Sequence, residues 1–179
     1  MRKRILPFCL VIGLLSSCGE SEQTTQNLQT EVYFDIKGFF EEEAVRLSGN
    51  SNPVHKEITR NREETESKNI TIKDWKKELS LFIESDINKP AWTSSYQVRE
   101  EGDSTVYITS DPNLRTKKIV INMEDEKVAA ITISNEVTNQ LYTSQEKLYY
   151  SPDSLYRIEK KQDVRVIGSN QYLVTGKFK

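Results

Sequence analysis

Apolar residues recur on a helical period in the first part of this chain and alternate in the second. Ile36, Phe39, Phe40, Ala44 and Leu47 are spaced i, i+3, i+4, i+8 and i+11, which predicts a helix over Val32–Leu47. Asp35 is a fitting N-cap, and Gly49 and Pro53 stop the run. Glu41, Glu42 and Glu43 fall on its solvated side. A polar hairpin is expected over Val54–Asn61 and Glu64–Ile70. Ile72, Trp75, Leu79, Phe82 and Ile83 then make a second helical stripe, with Thr71-Ile-Lys-Asp74 as an approximate capping box.

Beyond Trp92 the period drops to two. Ser95–Glu100 and Ser104–Thr109 flank Gly102-Asp103, a hairpin signal. Thr116–Met123, Lys127–Ser134, Asn139–Tyr149, Leu155–Gln162 and Gln171–Phe178 are further strands, and Val164–Ile167 reads as an extension of the fourth of these. Inward faces are expected at Ile119, Ile121 and Met123, at Ala129, Ile131 and Ile133, and at Tyr172, Val174, Gly176 and Phe178. Strands punctuated by turns, without intervening helices, form an antiparallel meander. The expected fold is α+β: two N-terminal amphipathic helices packed on a curved, mostly antiparallel sheet of about seven or more strands.

The first eighteen residues follow another rule. Arg2, Lys3 and Arg4 give a basic start, Ile5–Leu15 an apolar run, and Leu15-Ser16-Ser17-Cys18 places small residues before a cysteine. The run is too short to span a bilayer, which takes about 20 apolar residues, and has the form of a secretory signal. This segment resembles the precursors of bacterial lipoproteins, whose lipobox is an aliphatic residue, two small residues and the cysteine. The resemblance implies cleavage before Cys18, a diacylglycerol thioether on Cys18 and an amide-linked acyl chain such as palmitate on its new amino group. Gly19 stands where the inner-membrane retention signal of such proteins has aspartate, so outer-membrane residence is implied, facing the periplasm or the cell surface. The expected organisation is a signal peptide at 1–17, a lipidated flexible tether at 18–30, whose only apolar side chain is Leu28, and one domain at 31–179.

Processing alters composition. Cys9 leaves with the signal and Cys18 is acylated, so no intramolecular disulfide forms and the domain must be held by packing. The processed chain has 22 basic and 27 acidic residues, a net charge of −5. Residues 18–111 carry −8 and residues 112–179 carry +3. This balance argues against a nucleic-acid binder, which shows a basic stripe and a high pI.

Chemical motifs are sparse. His55 is the only histidine, and the acidic triplets Glu41–Glu43 and Glu124–Glu126 lack the spacing of a calcium loop. No metal site, cofactor motif or catalytic residue is assigned. No Gly-x-Ser-x-Gly elbow occurs. Tyr142, Tyr149, Tyr150 and Tyr156 fit half-buried strands or a face that binds a partner. Arg157, Lys160, Lys161, Arg165 and Lys177 form a candidate binding patch for anionic lipid or an acidic protein.

The expected role is therefore a non-catalytic interaction or assembly module of the cell envelope, held to the membrane through Cys18. The alternative is a carrier for a lipid or other apolar ligand. In outline the fold is similar to the carrier and acceptor proteins of outer-membrane lipoprotein sorting, which implies a cavity between helices and sheet, lined by residues such as Phe39, Phe40, Trp75, Phe82 and Ile131. A small envelope hydrolase would instead need carboxylates converging in a pocket.

Overall fold

The computed structural model describes residues 33–179. The signal segment, Cys18 and the tether lie outside the described residues. The described chain is a mostly antiparallel β-fold with few helices. Helix α1 (Ile36–Ser48) leads into the hairpin β1 (Val54–Arg60) and β2 (Glu64–Ile70). Two single helical turns follow, α2 (Trp75–Glu78) and α3 (Ser80–Ile83), then a 3-10 turn at Pro90–Trp92. The remaining chain makes β3 (Gln97–Glu101), β4 (Ser104–Ile108), β5 (Thr116–Glu124), β6 (Lys127–Thr138), β7 (Tyr142–Ser151), β8 (Leu155–Val164) and β9 (Gly168–Lys177).

All nine strands join one sheet in the order β2-β1-β9-β8-β7-β6-β5-β4-β3. From β3 to β9 the path is the meander that the alternation predicts. The early hairpin then pairs with the last strand, Ile58 opposite Val174 and Lys56 opposite Gly176. Both edges carry polar strands. Every residue of β3 is exposed, as is every residue of β2 except Ile70, which blunts edge-to-edge association.

The helices cover one face. Phe40 packs on Phe82 with ring centroids 4.7 Å apart and on Tyr150 at 5.1 Å, and Trp75 meets Tyr156 at 6.2 Å. Ile119, Ile121, Ile131 and Ile133 point into the same layer and are fully or almost fully buried, as expected. Each such side chain contributes about 1.5–3 kcal/mol relative to exposure. Asp35 caps α1 by accepting a hydrogen bond from the Gly38 amide at 2.7 Å.

Three expectations are corrected. The second amphipathic helix is two separate turns broken at Leu79, and its N-cap is Asp74, which accepts from the Lys77 amide at 2.9 Å, rather than Thr71. The apolar spacing is compatible with a helix but does not require an unbroken one. Of Val164–Ile167 only Val164 joins β8: the Ile167 amide donates to the Val164 carbonyl at 3.1 Å and Gly168 adopts φ +89°, reversing the chain. Asn139 opens a turn instead of beginning β7, because its side chain accepts from the amides of Leu141 and Tyr142.

Candidate functional site

The helix-covered face extends beyond the helices and ends in an open groove. Its polar end is built around Glu146 on β7. Residues Ser144, Glu146, Leu148 and Tyr150 share the inward parity of that strand, so a carboxylate is forced beneath α3. Glu146 is 6% exposed. Arg115 donates to its Oε2 at 2.6 Å, Lys160 approaches Oε1 at 3.0 Å, and Asn135 Nδ2 donates to Oε2 at 3.3 Å. Asn135 also donates to Ser85 Oγ at 2.9 Å, and Arg115 reaches the Glu84 carbonyl at 3.2 Å, which ties the loop after α3 to the sheet. Burial acts to raise the Glu146 pKa, but the Lys160 hydrogen bond and the two cations outweigh it and hold the carboxyl below its ordinary value. Asn135 Oδ1 and Ser144 Oγ are buried without a hydrogen-bond partner among the described residues.

The other end is apolar. Ile158, Val174 and Tyr172 form its floor, and Ile70, Ile72 and Leu81 its walls. The space is about 590 Å³ and adjoins a polar hollow of about 460 Å³ at Leu81 and Lys160. Lys56 and Glu78 close the inner rim at 2.6 Å, and Tyr156 donates to the same Glu78 oxygen at 2.6 Å. Burial and this carboxylate both push the Tyr156 hydroxyl well above the usual phenol range. Lys73 and Lys77 line the outer rim and form no ion pair among the described residues.

The structure divides the candidate basic patch. Arg157 and Lys161 share the face away from the helices, opposite Tyr149 and Gln145. Lys160 points to the helix side and pairs with Glu146. Lys177 lies on the far face, 3.6 Å from Glu57, and Arg165 sits in the β8–β9 turn. The tyrosines separate likewise: Tyr150 and Tyr156 are fully buried, whereas Tyr149 is exposed on the opposite face. Phe40, Phe82 and Ile131 pack as solid core, so the open space lies beside them rather than between them. His55 bridges Asn69 at 3.0 Å and Glu57 at 3.3 Å across the edge hairpin.

Sequence reasoning missed Glu146, Arg115, Asn135 and Ser85. The available signal was parity: a glutamate two residues before inward Leu148 must itself face inward. Among the described residues no helix is long and apolar enough to cross a membrane, and no group of three or more His, Cys, Asp or Glu side chains is placed to hold a metal ion. Comparison with protein-family models, with curated proteins and with solved structures gave no match.

Proposed function

We propose that this chain is a lipoprotein of the bacterial outer membrane, anchored through Cys18 and facing the periplasm or the cell surface, whose domain is a non-catalytic interaction module. The lipobox supports the anchor; a Cys18→Ala precursor is expected to escape lipoprotein processing, and normal lipidation of it would overturn the assignment. The observation that carries the module reading is the apolar floor of Ile158, Val174 and Tyr172, open to solvent beside the packed cluster of Phe40, Phe82 and Ile131. The carboxylates bordering it, Glu78 and Glu146, are tied to Lys56, Arg115 and Lys160 and serve the fold, which favours binding over acid–base chemistry.

The occupant is an aliphatic segment of an envelope protein carrying carboxylates, matched to the apolar floor and to Lys73 and Lys77 at the rim. A photo-crosslinking residue in place of Tyr172, in the full chain in intact cells, tests this. A discrete protein adduct that weakens in the Lys73→Glu, Lys77→Glu variant supports the reading. An adduct insensitive to that variant counts against it. A crosslink of lipid mass instead favours the carrier alternative, in which the same open floor accepts an acyl chain.

A further inference from the structure

Among the described residues four large apolar side chains are more than 70% exposed: Val45, Leu141, Val166 and Ile167. Val45 stands alone on α1. The other three occupy neighbouring turns, because the Arg165 amide donates to the Leu141 carbonyl at 3.2 Å. Val166 is 94% exposed, at the tip of the β8–β9 turn. Val and Ile favour strands, and here they are turned outward with nothing of the domain against them.

The pairing registers place both turns at one end of the sheet. Tyr142 faces Val164, Val164 faces Gly168, and Thr116 faces Asn135 near the close of β6. The start of β3 is at this end too, since Gln97 faces Ile108 at the end of β4. Tyr33, the first described residue, is fixed here: its hydroxyl donates to the Thr93 carbonyl at 2.8 Å and accepts from the Tyr96 amide, while Tyr96 donates to the Thr116 carbonyl. From β4 to β8 is four strand spacings, so the apolar tips and the point where the chain comes in lie roughly 20 Å apart along the same border. Cys18 precedes Tyr33 by 15 residues.

The opposite end has the reverse character. Its three turns hold Glu101 and Asp103, Glu124, Asp125 and Glu126, and Asp153, the last paired with Arg46. The apolar end carries Arg62, Arg115 and Arg165 in its turns against Glu63 and Asp111, with Arg115 paired to Glu146.

We propose that this end of the domain rests on the lipid bilayer, with Leu141, Val166 and Ile167 seated among the headgroups and acyl boundary and the acidic turns pointing away. Three aliphatic side chains bind a bilayer weakly by themselves, but a chain already tethered there supplies them at high local concentration. The contact then orients the domain and leaves the groove floor, whose residues lie on the sheet face rather than at its end, free for a partner. The inference rests on the Cys18 anchor proposed above.

The test uses the full lipidated chain, extracted in detergent and returned to vesicles of phosphatidylethanolamine and phosphatidylglycerol. Leu141→Cys, Val166→Cys and Val45→Cys variants carry an environment-sensitive fluorophore, with quenchers placed on the lipid chains. Quenching at 141 and 166 several-fold stronger than at 45 is expected. Introducing Val166→Asp with Ile167→Asp should return the label at 141 to the level at 45. Equal quenching at all three sites in chains that float with the vesicles would overturn the contact and leave the anchor standing. Chains that fail to float would overturn the anchor, and with it the reason for setting this end against lipid.

Discussion

The ring of Tyr156 fills the space that a side chain on Gly176 would need. An ideal Cβ on Gly176 would lie 2.1 Å from Tyr156 Cε1 and 2.5 Å from its hydroxyl. The two residues are direct cross-strand partners. With no side chain on β9 at that point, the fully buried ring crosses it and reaches Glu78 on α2, which in turn holds Lys56 on β1. One glycine thus lets a strand from the meander, the edge hairpin and a helical turn meet at a single carboxylate.

Gly176→Ala should therefore cost about 1–3 kcal/mol through overpacking, because Tyr156 has backbone on one side and core on the other. Urea midpoints measure this. Tyr156→Leu removes the clashing ring, so the double variant should be less destabilised than the two single losses added together. Strict additivity would mean that the ring does not occupy the space above Gly176.

Glu146 is expected to contribute to the acid limb of stability. Its pKa is depressed in the folded state, so the stabilisation it provides is complete above the unfolded carboxylate value and is lost as pH falls through the folded one. Stability of the natural chain should decline below about pH 4.5. Glu146→Gln leaves Arg115 and Lys160 without their charge partner. Both cations are partly exposed, so water compensates in part, and a loss of about 1–3 kcal/mol at neutral pH is expected, between the values for exposed and fully buried pairs. Urea midpoints of the Gln variant plotted against pH should fall less steeply on the acid side. Parallel curves would assign the acid limb to other groups.

The tips at Val166 and Ile167 should be dispensable for folding. Both side chains project away from the rest of the domain, so Val166→Asp and Ile167→Asp should move the midpoint by no more than about 0.5 kcal/mol. Ile133→Asp, at a site with no exposure, should abolish cooperative unfolding. A large loss from the tip variants would mean that these residues support the fold.

Periodicity carried most of the sheet. Ile119, Ile121, Ile131 and Ile133 recur at every second position, and a period of two puts each pair on one face. Turns were harder to read. Val164–Ile167 has strand propensity throughout, yet Gly168 reverses the chain, and propensity reports residue type rather than where a chain must turn. The pairing of β1 with β9 joins distant segments and has no local signal at all. The candidate site suffered from a similar blind spot. Arg157, Lys160 and Lys161 are close in sequence, but strand alternation sends Lys160 to the opposite face and into an ion pair with the buried Glu146. Density of charge along a strand is a poor guide to a patch unless parity is counted.

The start of the domain depends on one amide side chain. Asn88 Oδ1 accepts from the Tyr33 amide at 3.0 Å, and its Nδ2 donates to the carbonyls of Tyr33 at 2.9 Å and Phe34 at 3.2 Å. It acts as a short piece of backbone, pairing with the chain just ahead of α1 while Tyr33 stacks edge-on against Tyr96 and Tyr107, with ring centroids 5.7 Å away in each case. Asn88→Ala removes all three bonds and should cost about 2 kcal/mol, at roughly 0.5–1.5 kcal/mol for each net hydrogen bond. Amide hydrogen exchange in the first turn of α1 should quicken more than exchange in β6 or β7, since local release of this end is cheaper than global unfolding. Asn88→Asp keeps the shape and the acceptor but loses both donors and sets a negative oxygen against two carbonyls. It should match or exceed the alanine loss, most strongly at neutral pH where the carboxylate is ionised. An aspartate variant as protected as the natural chain would show that shape rather than hydrogen bonding holds the start of α1.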